Sequence, residues 1–400
     1  MSAQVRDMTK GSPAKLILLF AVPLMLGNIF QQLYTMVDTI VVGQVAGVQA
    51  LAALGAVEWI MWMTLGVSTG VTQGFSILIS QHYGAKKWND LKKTVAHSYL
   101  LTAVTAILLL LISQLAARWL LVLLNTPDNI IGMSLIYLRI VFCGIPIVAA
   151  YNIFASVLRA LGNSRTPLIA MIIAAFINVV LDLVFVAGFN WSVAGAALAT
   201  VIAQAFSAFY CFLIVRKIEI VHTDRDDFAK VPGLNRKLFG LGAPILLQDV
   251  IISVGGLAVQ FVINGYGFLF VAGFTATNKL YGVLEMAAIS YGYAVVSYVG
   301  QNLGAGEITR IKKGVHASSF LAFLTSAFIS DVSFWKDAAF DVYFRRSRAD
   351  KSGTGNRLAL SFYYGILPVY PLFSVCIPFC ITGARKYHDS DVERSGRIFC

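Results

Sequence analysis

The chain has 400 residues, of which 58% are hydrophobic and 13% are charged, and its mean hydropathy is +0.75. Soluble domains carry about 25% charged residues, so this composition excludes an ordinary soluble domain and indicates a membrane protein. The formal charge of +11 is spread over short loops between apolar segments. This distribution excludes the continuous basic surface that a nucleic-acid-binding protein needs.

Nine apolar segments are long enough to cross a bilayer, which takes about 20 residues in a helix. They lack the short alternating pattern of β-barrel strands, so we predict an all-α polytopic membrane protein. Pro23 lies within the first segment and is predicted to kink it. The predicted segments are 14–40, 52–80, 95–117, 131–155, 166–189, 192–215, 238–263, 268–300 and 315–330.

Lys and Arg residues concentrate in every second connection between these segments. Two of the basic connections are 86–93 and 310–313, whereas the intervening connections 43–50, 188–191 and 265–267 contain neither residue type. Because Lys and Arg favour the cytoplasmic side of a membrane, we predict that the amino terminus is cytoplasmic.

An internal repeat divides the chain into two halves. Residues 81–93, QHYGAKKWNDLKK, return 220 positions later as residues 301–313, QNLGAGEITRIKK. With six spans in each half, the two copies run parallel and are related by an axis along the membrane normal. We therefore predict two pseudo-symmetric six-helix lobes, the first at 1–218, joined by a cytoplasmic linker at 219–236.

The region 331–400 departs from the pattern of the repeat, because charged residues occupy it where the tenth helix should lie. One interpretation is a soluble polar tail. The other, which we adopt as the prediction, is translation in a shifted reading frame: synonymous codons for residues 385–399 can be chosen to spell GNTMIPMLSG one nucleotide later, similar to GNSRTPLIA at 162–170. On this prediction 237–330 holds the first three helices of an incomplete second lobe. Sequencing the gene and an intact relative checks it.

Gln31, Tyr34 and Asp38 fall at i, i+3 and i+7 in the first segment, so they share one face of a helix. An aspartate at the centre of a spanning helix costs about 2.5–3.5 kcal/mol, which indicates a functional role. The alternative is that Asp38, near the end of its helix, simply faces water. Asp38 is therefore the first candidate for a site that binds a coupling cation.

Asn178 and Asp182 lie one turn apart in the fifth segment, so an amide and a carboxylate share a face and could hold a cation or a proton. The alternative for Asn178 is a structural hydrogen bond between helices. In the second half, Glu285 is a candidate for a cation site, with Lys279 near enough to offset its charge. The position that corresponds to Asp38 in the second copy of the repeat falls near Val259, so the second half has no acid equivalent to Asp38.

Five motifs occur in a fixed order along the chain: QQLY at 31–34, VDTIVVG at 37–43, QHYGA at 81–85, RALGNSRTP at 159–167 and NVVLD at 178–182. Together they resemble the multidrug and toxic compound extrusion family, over roughly residues 8–328. The resemblance implies a V-shaped pair of six-helix lobes that opens alternately to either face of a prokaryotic plasma membrane. It implies export of small, amphipathic and cationic substrates by a monomer, against inward H+ or Na+ and without a further cofactor.

The resemblance also implies site residues. Family members place coupling and binding residues at positions that match Gln31, Asp38, Asn178 and Asp182, and a Na+ ion would lie at the last three. Tyr137 and Asn152, both in the fourth segment, are further candidates that we match by helix rather than by motif.

Two other functions compete with cation-coupled efflux. A flippase for a lipid-linked sugar precursor shares the two-lobe plan but calls for a more cationic cavity, and a truncated product would not transport at all. An enzyme is not expected, because the five scattered histidines supply no catalytic set. We predict that the partners are the transported compounds and membrane lipid, with no nucleic acid.

Overall fold

The structure, a computed structural model, describes residues 5–266 and 268–325, and all regular secondary structure in them is helical. The predicted all-α membrane fold is confirmed. Within these residues six helices are long and apolar enough to cross a membrane, and a bent pair of shorter helices meets the same criteria when the two are taken together. The region 331–400 lies outside the described residues, so its reading frame stays a prediction.

The first lobe contains six spans in chain order. Each predicted segment from 14–40 to 192–215 overlaps a helix, because long apolar runs decide where spanning helices form. The first helix begins with proline directly after Ser12, where the missing N–H has no helical partner to lose. The helices are α1 Pro13–Val45, α2 Val48–Gly84, α3 Trp88–Leu123, α4 Asp128–Cys143, α5 Ile145–Ala160, α6 Arg165–Asp182 and α7 Ser192–Arg216.

The fourth span differs from the continuous helix expected at 131–155. It breaks at Gly144 into α4 and α5, whose axes differ by 47°. Pro146 follows the break, lacks a backbone N–H and would clash with the carbonyl four residues earlier in an unbroken helix. Gly144 also lies against α7, because a Cβ built on it would be 2.7 Å from a methyl carbon of Val201.

The second lobe is described through its first three helices. A linker with two short 3-10 turns, Glu219–Val221 and Arg225–Phe228, precedes α8 Leu234–Asn264, α9 Phe268–Gly304 and a tenth helix, α10, at 308–325. Both ring nitrogens of the buried His97 in α3 lie in hydrogen-bond range of this region. Nδ1 is 2.7 Å from Oδ1 of Asn235, and Nε2 is 3.1 Å from the carbonyl of Ala229.

Helix α2 lies between the two lobes and packs closely on α8 and α9. A Cβ built on Gly74 would fall 2.1 Å from Cα of Gly242, so the two backbones touch here. At the end of α2 the repeated motifs pack reciprocally: a Cβ on Gly84 would meet the carbonyl of Gln301 at 1.9 Å, and one on Gly304 would meet the carbonyl of Gln81 at 1.9 Å. We call these four residues the twin contact.

The amino-terminal segment joins the lobes at the same end. The backbone N–H of Met8 donates to Oε1 of Gln301 at 2.8 Å, and Nε2 of Gln301 donates to the carbonyl of Ala160 at 2.9 Å. Nδ2 of Asn302 donates to the carbonyl of Met8 at 3.1 Å. One end of the bundle is thus closed by the twin contact and by residues 5–12, and its cytoplasmic orientation stays a prediction.

Gly162 provides a stability prediction. Its φ is +81°, and an added Cβ would lie 2.2 Å from the carbonyl oxygen of Arg6. Gly233 has a similar φ of +78° in the left-handed region but open space around the Cβ position, so it is the matched control. Gly233→Ala should cost about 1–2 kcal/mol of backbone strain, while Gly162→Ala adds a clash with backbone. We expect a lower thermal midpoint in detergent for Gly162→Ala, and equal midpoints would contradict this explanation.

Candidate functional site

Two helices of the first lobe, α1 and α6, bring the predicted acids together. Asp38 lies on α1 and is 5% exposed, while Asn178 and Asp182 on α6 are both 0% exposed. The carboxylates of Asp38 and Asp182 are close enough to interact electrostatically. Helix α6 approaches α1 because Gly27 has no side chain there: a Cβ on Gly27 would lie 3.5 Å from Cα of Leu168.

Several buried oxygen atoms in this region have no hydrogen-bond partner among the described residues. They are both carboxylate oxygens of Asp182, Oδ1 of Asn178 and Oε1 of Gln204. Buried polar atoms are paired in most proteins, and an unsatisfied one costs about 1–3 kcal/mol or more if it is charged. This group of oxygen atoms is therefore suited to a bound cation, or to protons on its carboxylates.

Helix α7 supplies the third wall of the site. Nδ2 of Asn178 lies 3.5 Å from Oγ1 of Thr200, and this long contact orients the amide so that its oxygen faces elsewhere. Nε2 of Gln204 donates to the hydroxyl of Tyr34 at 3.1 Å, and the side chain of Gln31 also hydrogen-bonds to this hydroxyl. The polar stripe predicted on α1 thus continues onto α7.

A π-helix directly follows Asp182. It spans Leu183–Gly188 and replaces the end of the regular helix expected at 166–189. The wide turn is held by hydrogen bonds from the N–H of Phe189 to the carbonyl of Val184 and from the N–H of Trp191 to the carbonyl of Phe185, each 2.9 Å. Such turns are frequent at functional sites, because they change which side chains face inward.

The remaining predicted residues have different surroundings. Tyr137 on α4 is buried, and its hydroxyl is close enough to Asp38 and Asp182 to interact electrostatically with both carboxylates. Asn152 lies beyond the Gly144 break on α5 and donates to Oγ1 of Thr69 on α2 at 3.2 Å. Glu285 belongs to α9, but its side chain lies outside the part of the chain that the structure describes, so its role stays a prediction.

The sequence prediction missed Thr200 and Gln204. A signal for them was present, because Thr200, Gln204 and Ser207 occur at i, i+4 and i+7 in an otherwise apolar segment. Uncharged polar residues are common in spanning helices, however, so this stripe alone did not point to a site.

The interface between the lobes also carries ionisable groups. The guanidinium carbon of Arg159 on α5 lies 4.5 Å from the ring centroid of Tyr293 on α9, which is a cation–π contact. Asp249 on α8 faces the first lobe, because Cβ atoms built on Gly66 and Gly70 of α2 would lie 3.6 and 3.1 Å from atoms of its side chain.

Comparison with known proteins places the chain in a family. The profile of the MatE family matches residues 23–184 and 244–381. The first range includes Asp38, Asn178 and Asp182, and the second begins in α8. The second range also extends past residue 330, into the region predicted to be out of frame.

Two curated relatives from Bacillus subtilis (strain 168) cover most of the chain. The "Probable multidrug resistance protein YpnP" is 33% identical over 312 residues, which is 76% of this chain and 68% of that protein. The "Probable multidrug resistance protein YoeA" is 30% identical over 314 residues, with the same two shares of 76% and 68%.

A solved structure shows the same fold. It is described as the outward-facing conformation of a multidrug resistance MATE family transporter of the MOP superfamily, and it matches with a TM-score of 0.83 at 20% sequence identity. The match covers 96% of this chain and 85% of that one. Together with the profile and the relatives, the fold confirms the family predicted from the motifs: the chain is a multi-pass membrane protein that belongs to the MatE family of transporters.

Proposed function

We propose that the chain exports amphipathic, cationic compounds by antiport against H+ or Na+, with the cargo gaining access alternately to the two sides of the membrane. The observation that carries this proposal is the buried carboxylate of Asp182 beside Asp38, since both oxygens of Asp182 lack a hydrogen-bond partner among the residues described. Two carboxylates within one spanning lobe require a positive partner. An inward-moving coupling cation supplies it.

Helix α1 links cation binding to the lobe interface. Asp38 lies in one half of α1, while the other half packs against α9 through a cluster that includes Phe20 and Tyr298. Nδ2 of Asn28 also donates to Oγ of Ser290 on α9 at 3.0 Å. If cation binding changes the distance between α1 and α6 at the acids, the movement of α1 is therefore transmitted to α9 of the second lobe. Pro23, which leaves one helical hydrogen bond unmade, gives α1 a place to bend.

The cargo proposal rests on the relatives and on the charge of the interface. Both Bacillus relatives are named as multidrug resistance proteins. Asp249 faces α2 across the interface, where a carboxylate would attract a cationic compound. In this scheme the coupling cation binds at Asp38 and Asp182 while the cationic cargo binds near Asp249.

The competing functions predict different residues or a different result. A flippase for a lipid-linked sugar precursor would need cationic groups to hold its phosphates, whereas the described intramembrane site is built from carboxylates and amides. A truncated product would fold its first lobe and bind the coupling cation without moving any cargo.

Efflux from proteoliposomes tests the proposal. The purified 400-residue chain is reconstituted, the vesicles are loaded with the cationic dye ethidium, and an inward Na+ gradient, an inward H+ gradient or no gradient is imposed. We expect dye release above the protein-free rate with at least one of the two gradients and not without them. Release that is independent of both gradients contradicts antiport. An absence of release from vesicles with folded protein favours the truncated product.

A further inference from the structure

Two arginines lie on the exposed surface of the first lobe, within membrane-spanning helices. Arg118 is on α3 and Arg139 is on α4, and both side chains are exposed. Leu115, one turn before Arg118, is 85% exposed, and Ile136, one turn before Arg139, is 50% exposed. Because an exposed apolar face of a spanning helix contacts lipid, both arginines face the bilayer as well.

Gln114 on α3 brings the two arginines into one surface patch. Its Nε2 donates to the carbonyl oxygen of Arg139 at 2.9 Å and to Sγ of Cys143 at 3.2 Å, so α3 and α4 are in contact at this level. Arg118 comes four residues after Gln114, which places it one turn away on the same face of α3. We call Gln114, Arg118 and Arg139 the arginine patch.

The arginine patch lies at the depth of the hydrocarbon region. Helix α3 starts beside the twin contact, so its last residue, Leu123, and the first residue of α4, Asp128, mark the opposite end of the bundle. At about 1.5 Å per residue, Arg139 lies about 16 Å along α4 from Asp128. Arg118 lies about 8 Å along α3 from Leu123 by the same measure. The hydrocarbon core is about 30 Å thick, so Arg139 begins well inside it.

Both positive charges lack a protein partner among the residues that the structure describes. Within those residues neither guanidinium forms an ion pair with a carboxylate, and neither donates a hydrogen bond. Arginine stays protonated in proteins, so the charge is not removed by titration. A charged side chain at this depth extends along the helix towards the headgroups, where an anion stabilises it.

The chemistry of the patch selects a phosphate group with net negative charge. A guanidinium presents its N–H groups in a planar fork that binds two oxygen atoms of one phosphate. The acids of the two helices, Asp90 and Asp128, lie in the first turns of α3 and α4, so the patch itself carries only positive charge. A zwitterionic headgroup would bring an ammonium group to the same surface, whereas an anionic headgroup brings none.

We propose that the arginine patch binds an anionic phospholipid, with its phosphodiester held by Arg118 and Arg139 and its acyl chains lying along α3 and α4. Arg118 lies nearer the end of the bundle and contacts the phosphate from the level of the headgroup. The side chain of Arg139 starts deeper and extends along α4 to the same phosphate. This inference is independent of the proposed function, because it concerns the outer surface of the first lobe and no residue of the coupling site.

Native mass spectrometry of the purified 400-residue chain tests the assignment. The chain is freed of lipid and titrated with phosphatidylglycerol, and separately with phosphatidylcholine that has the same acyl chains. The apparent Kd of the first bound lipid is measured for each. The patch variant combines Arg118→Gln with Arg139→Gln. The control combines Arg225→Gln with Arg236→Gln, which removes two exposed arginines from the linker and the first turn of α8.

We expect the unchanged chain to bind phosphatidylglycerol about tenfold more tightly than phosphatidylcholine, as charge-assisted hydrogen bonds to one phosphate would give. The patch variant should lose this preference, and the linker variant should keep it. The thermal midpoint in lipid-free detergent should be the same in all three chains, because neither patch guanidinium contacts another part of the described protein.

Three results overturn the proposal. The first is equal affinity for the two lipids in the unchanged chain, and the second is an unchanged preference in the patch variant. The third is an equal loss of preference in the linker variant, because binding would then follow net charge and not this surface. If the patch variant does not fold, Arg118→Gln is measured alone, and an unchanged preference there overturns the proposal instead.

Discussion

Asp182→Asn is expected to lower gradient-driven dye efflux at least about tenfold, to the rate of protein-free vesicles. The substitution keeps the shape of the side chain but removes the charge that the coupling cation neutralises. Asp182 is 0% exposed and both its oxygens are unpaired among the described residues, so the substitution leaves Asp38 as the remaining carboxylate of this buried pair. The measurement is ethidium release from proteoliposomes under the Na+ and H+ gradients.

Asp128→Asn is the matched control for this substitution. Asp128 is exposed in the first turn of α4, where a carboxylate contributes only about 0.3–1 kcal/mol to helix stability. We expect this variant to keep the efflux rate of the unchanged chain. Undiminished efflux in Asp182→Asn would show that the carboxylate of Asp182 does not take part in coupling. An equal loss in Asp128→Asn would show that the assay reports folding.

Gly84→Val is expected to open the end of the bundle that the twin contact closes. A Cβ on Gly84 would lie 1.9 Å from the carbonyl oxygen of Gln301, a backbone atom that cannot rotate away, so the lobes must separate there. Ser80, one turn earlier on α2 and 0% exposed, then becomes accessible. In a Ser80→Cys chain whose native cysteines are replaced by serine, we expect Gly84→Val to raise labelling by a water-soluble maleimide about tenfold.

The reciprocity of the twin contact gives this prediction a second arm. Gly304→Val should raise the labelling of Ser80→Cys to a similar extent, because its Cβ would meet the carbonyl of Gln81 at 1.9 Å. Gly255→Val on α8 is the control, since nothing lies within 4 Å of its Cβ position. Labelling that stays at the control level in both glycine variants would show that this end does not depend on the twin contact for closure. Gly84→Val and Gly304→Val should also lose efflux, because transport requires this end of the bundle to close.

Helix positions followed from the sequence because a spanning segment must be continuously apolar. The exception at Gly144 shows the limit of that signal, because hydropathy continues across a break that only Gly144 and Pro146 mark in the sequence. Likewise, the approach of α7 to Gly144 depends on Val201, some 57 positions away, and no local pattern carries that information.

The site was predictable where charge made it conspicuous. Asp38 and Asp182 stand out because carboxylates are rare in apolar segments, and the structure brings the two within electrostatic range of each other, with Asn178 one helical turn from Asp182. Thr200 and Gln204 were missed because their importance depends on which helices are neighbours. The repeat predicted a two-fold relation of the lobes, but the contact of Gly84 with Gln301 and of Gly304 with Gln81 required the packed helices.

The twin contact also bears on the origin of the chain. Residue 81 touches residue 304 and residue 301 touches residue 84, which is the pattern of a symmetric homodimer interface in which one surface patch binds its own copy. This is the contact pattern expected of two half-length copies that pair in parallel across one patch. Because each glycine faces the backbone of the other copy, both positions are under the same steric constraint although the residues beside them differ between the copies.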